Sequence, residues 1–213
     1  MKAFLFLTGT LLISAAFAAI EIKTTSTQGD VQFDAIGKPS MLKIKGKGEG
    51  PIASLKIEGD VLNGDLKFNM TTLNSGIDLR DEHMKEKYLQ VKEHPQATLT
   101  FKDFKMPAGW SLKNPTVKEA AFNGTMKLHG VEKPVTGTFQ IDNEKLAGHA
   151  NFDLNLSDFA IEIPSYLGVK VADTVKVAVN FTEMTASEIA SVPAAKNEEV
   201  KATPTATPKK KKK

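Results

Sequence analysis

The chain reads as an all-β protein: an antiparallel sandwich or up-and-down barrel of about eight to ten strands with one or two short helices. Three observations carry that reading. Apolar and polar residues alternate at period two from Glu21 to Thr185, which gives each strand one apolar and one wet face. Such strands suit antiparallel sheets rather than parallel sheets buried on both faces. Turn residues punctuate the runs, and only residues 78–89 look long enough for about three helical turns.

Taken in order, MKAFLFLTGTLLISAAFA has a charged start, an apolar run and an Ala-Phe-Ala end. It is expected to be a secretory signal peptide over 1–18, which places the mature protein in the periplasm or outside the cell. A β domain is expected over 19–188. Val31, Phe33 and Ala35 share one face of the first clear strand; Leu42 and Ile44, then Leu55 and Ile57, then Leu66, Phe68 and Met70 continue the series. Asn63-Gly64 reads as a two-residue hairpin. Leu99 and Phe101, then Phe122, Met126 and Leu128 follow, with His129-Gly130 as a break. Phe139 and Ile141, then Phe152, Leu154 and Leu156, then Val175, Val177, Val179 and Phe181 close the alternation. Asp78 is the expected N-cap of the helix, on which Met84 and Tyr88 share a face. Residues 157–170 read as a loop or short helix. Residues 189–213 are rich in Ala, Pro, Thr and Lys and are expected to be disordered.

Composition narrows the chemistry. The chain has no cysteine, so disulfides, thiolate metal sites and cysteine nucleophiles are excluded. Its net charge of +3 is a property of the tail: residues 19–190 hold 20 basic and 23 acidic groups. That balance gives no basic face for nucleic acid. No G-x-S-x-G elbow, phosphate loop or HExxH motif is present, and no enzyme, cofactor or metal is expected. His83, near His94, Asp78, Asp81 and Glu82, is the one place a metal-dependent hydrolase would use. Arg80 is the single arginine; its guanidinium suits a phosphate or carboxylate, or pairing with a buried aspartate. Lys209 to Lys213 would suit an anionic envelope surface. Alternation leaves open whether the apolar faces fill the interior, as in a partner-binding domain, or line a cavity.

Three blocks carry a resemblance: LRDEHMKEKYLQVKEHPQATLTF, FNGTMKLHGVEKPVTGTF, and LNLSDFAI followed by VADTVKVAVNF. In this order they resemble the YceI-like family of secreted bacterial proteins, over about Gly29 to Thr185. Glu132 and Ala160 depart from its pattern, and Leu156 stands where arginine is common. The resemblance implies a lipocalin-like barrel that holds a long polyisoprenoid, of quinone or prenyl-phosphate type, in an apolar tunnel, and it implies that homodimers occur. On that reading the lining candidates are Phe33, Leu66, Phe68, Met70, Phe101, Phe122, Met126, Phe152 and Phe181. Arg80 and His83 are the candidates for the rim and headgroup.

Overall fold

A computed structural model describes residues 18–38, 42–142, 144–166 and 169–190. Both the expected leader, apart from Ala18, and the tail beyond 190 lie outside them. Twelve strands form one antiparallel sheet curled into a half-barrel. They are β1 (Ala18–Lys23), β2 (Gly29–Lys38), β3 (Leu42–Glu49), β4 (Ile52–Glu58), β5 (Val61–Asn69), β6 (Gln96–Lys105), β7 (Val117–Leu128), β8 (Val131–Ile141), β9 (Gly148–Asn155), β10 (Ser165–Tyr166), β11 (Val169–Phe181) and β12 (Thr185–Ala190). The order is β12-β1-β4-β5-β6-β7-β8-β9-β11-β2-β3, with β10 beside β11. One helix, α1 (Asp78–His83), runs into a π turn over Met84–Tyr88.

The all-β expectation holds, and the strand number is higher than expected for physical reasons. Two long runs are each broken at the same level. A 3-10 turn over Ser26–Gln28 separates β1 from β2, and Gly50-Pro51 separates β3 from β4. Thr24, buried at this joint, donates to the Pro51 carbonyl at 2.8 Å and accepts from the Ala53 N–H at 2.8 Å. β10 is two residues long, and β12 has too few apolar residues to alternate visibly.

Asn63-Gly64 is not a hairpin. Both residues lie inside β5 at a bulge against β6, where Gly64 takes φ +136°, a backbone region that glycine alone enters at ease. The β4–β5 turn is Gly59-Asp60 instead. His129-Gly130 is a two-residue turn between β7 and β8, with φ 52° and 76°, as a type I′ hairpin needs. The helix cap falls at Ile77 rather than Asp78, which leaves the Asp78 carboxylate in the first turn, where helix-end charge favours it.

The interior has two parts. Ile22, Ala53, Leu55, Ile57, Leu62 and Met106 form a filled cluster at the β1–β4 end. Val31, Leu99, Met126, Phe152 and Val179 belong to a second cluster around the other end. Phe101 and Phe104 pack against both. At the sheet's far edge, β3 reaches the segment after β5 through one bridge, with Lys47 and Asn74 exchanging backbone hydrogen bonds at 2.7 and 2.8 Å.

Candidate functional site

A cavity of about 610 Å³ occupies the second part of the barrel. Its wall follows from register. Phe33, Val177 and Phe152 are direct neighbours across β2, β11 and β9. Ala35, Val175 and Leu154 form the next such row. Because side chains two apart share a face, each row sends one apolar group per strand inward. Leu66, Phe68 and Leu99 complete the wall from β5 and β6, and Met126 and Leu128 from β7. The segment after β5 lies over the cavity and adds Met70, Leu73, Ile77, Leu79, Arg80, His83, Met84, Tyr88 and Leu89. In the π turn, the Leu89 N–H bonds the Met84 carbonyl at 2.9 Å. This wider turn brings Met84, Tyr88 and Leu89 to the same cavity.

Of the nine expected lining residues, Phe33, Leu66, Phe68, Met70, Met126 and Phe152 face the cavity. Phe101, Phe122 and Phe181 do not line it, and each is turned aside by its neighbours. Phe122 lies against Gly137, whose missing Cβ would stand 2.7 Å from the ring. Phe101 sits 5.8 Å from Phe104 and 5.9 Å from Phe122 between ring centroids. Phe122 in turn meets Phe152 edge-on at 6.0 Å. These rings make a floor between cavity and filled cluster, in the tilted and edge-on geometries aromatic pairs favour. Phe181, at the end of β11, stands between Gly29 and Gly148 across the sheet and packs against the second cluster without reaching the cavity.

The sequence reading missed Ile77, Leu79, Val169 and Val171, which line the mouth. They lie within or directly beside the two segments where period two fails, 78–89 and 157–170, and so gave no alternation to read.

Polar groups in the lining are few: Arg80, His83, Tyr88 and Ser165. Arg80 is neither free nor paired directly with a carboxylate. Its Nε donates to Ser75 Oγ and its Nη2 to the Ser75 carbonyl, both at 2.7 Å. The Ser75 hydroxyl and N–H in turn donate to Asp81, a carboxylate only 7% exposed. Ser75 thus relays the buried Asp81 charge to the guanidinium. Three of the five Arg80 N–H groups have no protein partner among the described residues. His83 is exposed at the mouth.

On the opposite side, the Asp173 carboxylate accepts from the Ser157 hydroxyl and N–H. These bonds hold its pKa below the ordinary 3.8. They also pin the 3-10 turn Leu156–Phe159 that carries Leu156 to the cavity. His94 stacks edge-on with His129 at 4.8 Å, and His129 bonds Gln90 and the Phe159 carbonyl. No cluster of three or more His, Asp or Glu among the described residues has metal-holding geometry.

The family model for the YceI-like domain matches residues 14–182. Among solved structures, a polyisoprenoid binding domain from Saccharophagus degradans implicated in plant cell wall breakdown is similar. It shows 14% identity over 77% of this chain and 96% of that one, with a TM-score of 0.53. BcnA from Burkholderia cenocepacia aligns at 15% identity over 73% of this chain and 96% of that one, with a TM-score of 0.56. At these identities the likeness is one of fold. No curated protein matches the chain.

Proposed function

The chain belongs to the YceI-like domain family, and from that premise we propose that it is a non-enzymatic binding protein that holds a polyisoprenoid or similar long apolar lipid in its cavity. The carrying observation is the cavity itself: about 610 Å³ with a wall that is apolar except near its mouth. That volume falls within the range of small-ligand sites. A polar substrate would lose its hydration there without gaining partners, whereas a hydrocarbon chain loses nothing. Each buried CH₂ contributes about 0.8 kcal/mol, so ten give about 8 kcal/mol before the cost of association. The polyisoprenoid binding domain that shares the fold supports the same ligand class.

Arg80 sets the polar end in this reading. Its unpartnered N–H groups suit the acceptor oxygens of a prenyl phosphate or a quinone. Export through residues 1–18 and contact of Lys209 to Lys213 with an anionic envelope surface belong to the same proposal.

The test is direct. Purified protein is extracted with organic solvent, analysed by mass spectrometry, and then offered prenyl phosphate and ubiquinone in detergent. A reproducible prenyl lipid, or saturable uptake of one, is expected. Absence of both overturns the proposal.

A further inference from the structure

We propose that the cavity mouth is a docking surface for an anionic lipid bilayer. The inference rests on the lipid-binding reading above and adds where the ligand is collected or delivered.

Apolar exposure is concentrated at this end. Leu42, Ile77 and Leu79 are 43%, 54% and 56% exposed and also line the cavity. Ile36, 43% exposed, is next in sequence to Gly37, the register partner of Leu42. Gly37 has no Cβ because one would strike Val169 at 2.8 Å and Leu42 at 3.1 Å. The Val169 and Leu42 side chains therefore close over Gly37 along the rim, continuous with the cavity wall, while Ile36 stands on the outer face of the same strand end. Exposed apolar groups that lead into a hollow are unfavourable in water and favourable against another apolar phase.

Charge selects that phase. Lys43 stands opposite Ile36, and Lys38 stands opposite Lys170 on the next strand. Like charges directly opposite each other destabilise a sheet. None of these three lysines joins an ion pair among the described residues. Lys170 affects Asp173 only through its field. On α1, Leu79, Arg80 and His83 face the cavity, whereas the acids Asp78 and Glu82, four residues apart, lie on the stripe that does not line it. Aliphatic groups flanked by unpaired lysines fit the interface of an anionic membrane, where each lysine contributes about fivefold in partition. A ligand moving between bilayer and cavity across this rim stays out of water throughout.

The chain has no cysteine, so a single environment-sensitive fluorophore can be placed at Ile36→Cys on the rim. Ile52→Cys, an exposed isoleucine outside the cavity lining, serves as the control site. The full chain is titrated with phosphatidylcholine vesicles with and without phosphatidylglycerol. The rim label is expected to shift to the blue on phosphatidylglycerol vesicles and the control label to stay unchanged. Combined K38Q, K43Q and K170Q should raise the vesicle concentration at half-response by about a hundredfold. Loading with prenyl phosphate from detergent should stay intact in that triple variant, because none of the three lysines lines the cavity.

Equal responses at the two labels, or a rim response indifferent to the lysines and to phosphatidylglycerol, would overturn the inference. So would a rim label that ignores vesicles but becomes shielded as protein concentration rises, an outcome that assigns the rim to a second copy of the chain. If the unmodified protein takes no lipid from detergent, the lipid-binding reading fails, and the two labels still decide the docking surface separately.

Discussion

Ser75 shows how much one small side chain decides. Among the described residues it is the only link between the buried Asp81 carboxylate and the Arg80 guanidinium. Burial makes Asp81 a costly group to leave unpaired, and Ser75 satisfies it while keeping Arg80 at the mouth. Ser75→Ala is therefore expected to have two effects. Stability should fall by about 1–3 kcal/mol, since a buried acceptor loses a donor. Affinity for a prenyl phosphate should fall roughly tenfold, the worth of a charged hydrogen bond no longer aimed, while affinity for the uncharged prenol stays as it was. Denaturant melts and paired titrations check this; an equal loss for both ligands would mean that Arg80 does not meet the headgroup. The relay was not legible in the sequence. Asp81 stands in an acidic run, Asp81-Glu82, that reads as solvated, and nothing in the spacing singles out a serine six residues upstream. The lone arginine was legible as a place to look, and its protein partners are the Ser75 hydroxyl and carbonyl, which stand between it and the buried aspartate that direct pairing would have used.

Among the elements, β3 is the most constrained by what it lacks. Gly46 and Gly48 sit on its inner face, and a Cβ at Gly46 would stand 2.3 Å from the Phe33 ring. One at Gly48 would stand 2.7 Å from the ring of Phe68. The rings occupy the space the glycines leave, which keeps them flat against the wall and the cavity open. In the sequence these glycines look like turn residues ahead of Pro51, because glycine spacing alone does not distinguish a turn from a close approach. Gly46→Ala should push Phe33 inward. We expect a loss of about 1–3 kcal/mol from overpacking together with weaker lipid uptake. Gly148→Ala, whose Cβ would meet nothing nearer than 3.2 Å, should cost less and leave uptake unchanged. Urea melts and a loading assay on both variants separate the cases; comparable effects from the two would show that Phe33 does not depend on Gly46. Elements with strict alternation, such as β2 and β11, were legible face by face. The weakly patterned β12, the two-residue β10 and the mouth segments were not, since their positions are set by contacts distant in sequence.

At the scale of the whole molecule, identical alternation produces a filled end and a hollow one. β5 passes through both: Leu62 is buried in the filled cluster and Leu66 lines the cavity. Period two fixes which face points inward but not how far apart the opposing walls stand. That distance follows from the breaks at Ser26–Gln28 and Gly50-Pro51, from the glycines under the rings, and from the phenylalanine floor, all of which depend on tertiary packing. The division suggests that stability and capacity reside in different halves, and two substitutions test it. Ile57, 1% exposed in the filled cluster, should cost about 2–5 kcal/mol on Ile57→Ala while lipid loading at low temperature persists. Val177 lines the cavity between Phe33 and Phe152. Val177→Trp adds bulk where there is empty space, so the melting temperature should hold or rise as lipid loading falls sharply. Loading unaffected by tryptophan at 177 would mean that the lipid does not use this cavity, and a collapse of the fold would mean that the space is needed for the packing of the walls themselves.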